Sequence, residues 1–102
     1  MSISHVVMWH LKGETPAEKA VSAETVRSVL LPLVERIPQI ISMTLHDSVV
    51  HEARNADLIL LSEFASVDDL LAYQVHPDHE AAAAVIRSVT TDRVVGDWIT
   101  GQ

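Results

Sequence analysis

The sequence has no cysteine, three glycines, one phenylalanine, one tyrosine and two tryptophans among its 102 residues, and only seven lysines and arginines. Without cysteine there is no disulfide framework, no thiolate nucleophile and no cysteine-based metal site, which fits a reducing, cytoplasmic setting. The glycines, Gly13, Gly96 and Gly101, are scattered, so no glycine-rich loop is available to cradle a phosphate. Fourteen acidic residues against the seven basic ones leave a formal charge of −7. Such a chain is repelled by nucleic acid and by anionic membrane surfaces, and neither is expected as a partner. No apolar run approaches the ~20 residues that span a bilayer. Met1-Ser2-Ile3-Ser4-His5 shows neither the basic nor the apolar stretch of a signal peptide.

What is present suffices for a folded domain. The chain is 48% hydrophobic with a mean hydropathy of +0.22, which excludes disorder. Its length suits a single domain over residues 1–102. Ile3 to Lys12 reads as a β-prone strand closed by Gly13. Thr15-Pro16-Ala17-Glu18 carries a capping box with proline at the first helical position, opening a helix to about Arg36. Val26, Leu30, Leu33, Val34 and Ile37 recur at helical spacing, and Pro32 should kink or split the helix before Pro38 ends it. Ile40 to Val50 and Asp57 to Phe64 read as strands around a polar loop. Ser66 caps a helix holding Leu70, Leu71 and Tyr73, and Pro77 starts another that ends near Ser88. Arg93 to Thr100 is a fourth strand. The order strand, helix, strand, strand, helix, strand predicts an α+β, ferredoxin-like fold, a four-stranded antiparallel sheet with helices on one face.

The strands are apolar on both faces. Val7, Trp9 and Leu11 lie opposite Val6 and Met8, and Val94 and Trp98 lie opposite Val95 and Ile99. Two helices cover only one face of such a sheet, so the other needs a cover. A second copy, sheet against sheet in a two-fold homodimer, is the economical solution.

Six histidines in so short a chain make imidazole chemistry the first candidate. His5 and His10 fall on opposite faces of the first strand and cannot chelate one ion. His10, His46 and His51 read as hydrogen-bonded boundary or surface residues. The informative segment is Tyr73-Gln74-Val75-His76-Pro77-Asp78-His79. Pro77 sets His79 in the first turn of a helix, where the positive end of the helix dipole favours the neutral imidazole that a general base needs. Tyr73, before the break, can converge on the same space and polarise a carbonyl. Such a pair suits proton abstraction beside a carbonyl or aldol-type ring closure. The plainer reading has His76 capping the helix and His79 satisfying a backbone group. A metal set of His76, His79 and Asp78 or Glu80 is a weak third, because the two carboxylates should point to other sides of the helix.

His5-Val6-Val7-Met8-Trp9-His10, Ser62-Glu63-Phe64-Ala65-Ser66 with Asp69-Leu70, and Tyr73 with His76-Pro77-Asp78-His79 together resemble the stress-responsive A/B barrel, or Dabb, family over nearly the whole chain. The resemblance implies a dimeric α+β barrel with a cavity between sheet and helices in each subunit. The family includes stress-induced plant proteins and a plant polyketide cyclase that closes a poly-β-ketone without a cofactor. In that cyclase the histidine matching His79 is the acid/base, the tyrosine matching Tyr73 assists, and the histidine matching His5 lies near the pocket. By this resemblance His79, Tyr73 and His5 are the candidate catalytic residues and Val7, Trp9 and His76 the candidate substrate-binding residues. Neither cofactor nor metal is called for, and the ligand is a small apolar, carbonyl-containing molecule. The chain departs from the cyclase in having small residues around Ala23 and Thr25 and the run Ala81 to Ala84 after His79, so an aromatic-lined pocket is not expected. Two functions remain open: a cofactor-free cyclase, lyase or isomerase, and a non-catalytic stress-responsive or ligand-binding dimer.

Overall fold

In a computed structural model describing residues 1–102, four strands form one antiparallel sheet in the order β2-β3-β1-β4, with four helices on one face. Strand β1 spans Ile3–Leu11. Helix α1 spans Pro16–Leu30 and the one-turn α2 spans Leu33–Arg36, so Pro32 splits the expected long helix. Strands β2 (Ile40–Asp47) and β3 (Leu58–Phe64) follow, then α3 (Val67–Gln74), α4 (Pro77–Val89) and β4 (Thr90–Ile99). No helix is long and apolar enough to cross a membrane.

The caps behave as their sequences dictate. The Thr15 hydroxyl accepts the Glu18 N–H while the Glu18 carboxylate accepts the Glu14 and Thr15 N–H groups, which hold that carboxyl below its ordinary pKa. Gly13 precedes them at φ +130°, a conformation that side chains rarely adopt, and a Cβ there would lie 2.8 Å from that of Glu18.

Some boundaries differ from expectation for identifiable reasons. β2 ends at Asp47 because the chain turns there, Ser48 N–H closing onto the Asp57 carbonyl and leaving Val49 and Val50 exposed. β4 begins at Thr90, not Arg93, because α4 runs directly into it and a register shift at His10/Leu11 admits Thr90 to the ladder.

The core lies between sheet and helices. Ile3, Val7, Trp9 and Leu11 of β1 and Leu58, Leu60 and Phe64 of β3 pack against Val26 and Leu30 of α1, Tyr73 of α3 and Ile86 of α4. Burial of each large side chain contributes about 1.5–3 kcal/mol against the entropy of ordering the chain. The other sheet face carries Val6, Met8 and Ile59, all half-buried, and Leu61, Val94 and Trp98, 42%, 62% and 41% exposed. No helix covers it, as the two-sided apolar pattern requires.

Candidate active site

The break between α3 and α4 builds one wall of a cavity. His76 lies at the N-cap of α4, its Nδ1 accepting the Asp78 N–H at 3.0 Å, and Pro77 opens the helix. This turn brings Tyr73, in the last turn of α3, against His79, in the first turn of α4, with ring centroids 4.4 Å apart. Tyr73 also contacts Phe64 at 4.9 Å, and His5 on β1 meets both rings edge-on at 6.5 and 6.3 Å.

Hydrogen bonds set the histidine tautomers. His79 Nδ1 lies 3.0 Å from the Gln74 carbonyl oxygen. A carbonyl only accepts, so Nδ1 carries a proton and the neutral ring presents its lone pair at Nε2. Burial holds the His79 pKa below its ordinary value, with the Gln74 carbonyl and the Glu80 carboxylate opposing and the nearby Arg93 guanidinium reinforcing the shift. His5 Nδ1 lies 2.5 Å from Asp97 Oδ1 on the neighbouring strand, so the carboxylate orients that ring as well. Burial alone pushes the Tyr73 phenol above its ordinary pKa, which keeps the hydroxyl a donor, and no protein group bonds to it.

The cavity holds about 560 Å³, within the range of small-molecule sites. Its floor is His5, Val7 and Trp9 of β1, Leu60 of β3, and Arg93 and Val95 of β4. Its roof is Tyr73 and Gln74 of α3 and His79, Glu80, Ala83, Ile86 and Arg87 of α4, with Leu30 of α1 at one side.

Of the residues singled out by sequence, His5, Val7, Trp9, Tyr73 and His79 thus line one space. His76 does not: its ring faces the helix end as a cap, which corrects its expected place in the cavity wall. Glu80, expected to point elsewhere, lines the cavity beside His79. The lining also includes two aromatics, Trp9 and Tyr73, and of the small residues expected there, Ala23, Thr25 and Ala81 to Ala84, Ala83 alone forms part of it. Sequence reasoning missed Asp97, the Gln74 carbonyl, Phe64 and Arg93. Only the alternation of β4, which puts Arg93, Val95 and Asp97 on one face, hints at two of them.

Outside this cavity, His10 bonds Asp92 at 2.7 Å and the Ala53 carbonyl at 3.0 Å, while His46 and His51 are exposed, as expected. No three of the His, Asp and Glu side chains converge to hold a metal ion.

Comparison with known proteins gives a consistent result. The family model described as Stress responsive A/B Barrel Domain matches residues 3–100. The stress-response A/B barrel domain-containing protein DABB1 of Arabidopsis thaliana is 24% identical over 100 residues, covering 98% of this chain and 48% of the relative. The chain therefore spans about half the length of that curated relative. Among solved structures, a dimeric ferredoxin-like protein of unknown function from Thermobifida fusca is 29% identical, with 96% of this chain and 90% of that chain covered and a TM-score of 0.78. The hydroxynitrile lyase of Passiflora edulis superposes with a TM-score of 0.83 over 99% of this chain and 95% of that chain, at 16% identity, a likeness of fold alone.

Proposed function

This chain belongs to the stress-responsive A/B barrel domain family, and from that premise we propose that it is a homodimeric, cofactor-independent acid–base enzyme acting on a small carbonyl compound, of the cyclase, lyase or isomerase type. The observation that carries the proposal is the hydrogen bond from His79 Nδ1–H to the Gln74 carbonyl, which leaves a basic Nε2 for the cavity that His79 lines, beside a phenol with no other partner. In the step this suits, His79 Nε2 takes the proton α to the carbonyl. The C–H electron pair moves into the C–C bond and the carbonyl pair onto oxygen, and the enolate accepts a hydrogen bond from the Tyr73 hydroxyl. The His79 imidazolium then returns its proton, either to carbon or to the alkoxide formed when the enolate carbon adds to a second carbonyl. The His5–Asp97 pair orients groups at the same end. Val7 and Trp9 supply apolar surface for the substrate body.

We read residues 1–102 as one such domain. Its uncovered sheet face, with Val6, Met8, Leu61, Val94 and Trp98, packs against a second copy, in keeping with the dimeric fold neighbour from Thermobifida fusca. A non-catalytic ligand-binding or stress-responsive dimer is the second reading. It is favoured by the near-complete burial of Tyr73 against Phe64, which a purely structural tyrosine would also show.

Deuterium wash-in divides the two. The α-protons of a panel of ketones, β-keto acids and their esters are followed by NMR in D2O with wild type and His79→Gln. The proposal expects exchange with wild type that His79→Gln lowers by at least two orders of magnitude. Equal exchange by both proteins on every compound removes His79 as the base.

A further inference from the structure

The cavity is electrically polar from end to end. At the His79 end the lining includes the acidic Glu80, and Asp97 lies outside the lining, bonded to the lining residue His5. At the other end, where α4 passes into β4, lie Arg87 and Arg93. Along the backbone, His79 and Arg87 are about 12 Å apart on α4, and Asp97 and Arg93 about 13 Å apart on β4. Between them the wall carries the apolar side chains of Val7, Val95, Ala83 and Ile86.

The two arginines are otherwise unengaged. Of the seven basic residues, Lys19, Arg27 and Arg54 are held by carboxylates; Lys12, Arg36, Arg87 and Arg93 bond to none, and of these four only Arg87 and Arg93 line the cavity. Arg93 is on the cavity face of β4, opposite Trp9 in the register, and its charge reaches His79. Two exposed guanidinium groups without carboxylate partners in the cavity lining form a site for a planar anion, because the fork of donors matches a carboxylate.

Building on the acid–base reading of this cavity, we propose that Arg93, assisted by Arg87, anchors an anionic substrate: a keto acid whose carbonyl and carboxylate lie at opposite ends of an apolar body. Glu80 repels the carboxylate from the catalytic end, so the ligand enters in one orientation, with its carbonyl at Tyr73 and His79.

The probes are 4-acetylbenzoate and its neutral methyl ester, titrated by NMR into wild type, Arg93→Leu and His79→Gln. Arg93 is exposed and Leu is tolerated on a strand, so the variant keeps the fold. In wild type the acid binds at least tenfold more tightly than the ester, and added salt narrows the difference. The preference persists in His79→Gln and disappears in Arg93→Leu. Failure of the acid to bind wild type, equal binding of acid and ester, or a preference that survives Arg93→Leu each overturns the proposal. Because binding is read in His79→Gln as well, loss of the acid–base reading appears separately, as absent α-proton exchange with the acid still preferred.

Discussion

Tyr73 and His79 stand ring to ring, 4.4 Å between centroids and 52° between planes, across the break that Pro77 makes between two helices. The contact joins a group that burial keeps protonated to one that burial keeps neutral. A donor and a base adjacent to each other in one cavity serve enolate chemistry better than either alone.

Tyr73→Phe separates the hydroxyl from the ring. The hydroxyl has no protein partner, so the variant should unfold within about 1 kcal/mol of wild type. Tyr73→Ala, which empties a core position, should cost about 3–5 kcal/mol. Wash-in of deuterium by Tyr73→Phe should drop about 10- to 1000-fold. Denaturant melts paired with NMR exchange test this, and unchanged exchange would leave the tyrosine a packing residue.

His79 should titrate below 6.5 in the folded protein, seen in its ring Hε1 shift. Exchange activity should therefore hold through pH 6.5 and fall only as the pH drops through the lowered pKa. The unfolded chain takes up this proton more readily, so the residue removes stability progressively below pH 6.5. Wild type should lose ground to His79→Gln in urea melts across that interval. A midpoint at or above 6.5 contradicts the burial argument.

His10 faces an acceptor at each ring nitrogen, Asp92 and the Ala53 carbonyl, and its pKa is raised, chiefly by the Asp92 hydrogen bond. The protonated ring satisfies both acceptors and ties the loop around Ala53 to β1. A raised folded pKa gives stability that is complete below pH 6.5 and lost as pH rises through the folded value. The effect is modest because the pair is largely solvent-screened. Wild type should therefore exceed His10→Gln at pH 6 and converge with it in more alkaline solution, with faster amide exchange in the Ala53 loop. A difference independent of pH argues against the tether.

Met8→Glu places a charge in the middle of the uncovered sheet face, beside Val94 in the register. Sedimentation should show a monomer, whereas wild type should sediment as a dimer. Burying an unpaired carboxylate costs more than an interface of this kind supplies. A variant that remains dimeric moves the interface to another surface.

The order of elements was legible along the chain because its signals are local. The Thr15–Glu18 box, the Ser66 cap and the His76-Pro77 start each depend on neighbours within a turn of helix, and each forms as read. The two-sided apolar pattern of the strands likewise follows from alternation alone. His79 and Tyr73 were legible as partners because a proline fixes the bend between them. The rest depends on packing between residues far apart in sequence. Asp97 reaches His5 only because β4 pairs with β1 in one register, and a slip of one residue would turn it to the other face. His76 had two plausible uses, and the geometry of the helix start gave it to the cap. Arg93 came to the cavity mouth because α4 feeds directly into β4 without a loop, a junction that moved the strand boundary three residues from where propensity placed it. Local sequence determined which residues could do chemistry; the sheet register and the α3–α4 bend decided which of them share one cavity, because only those long-range contacts bring their side chains within reach of each other.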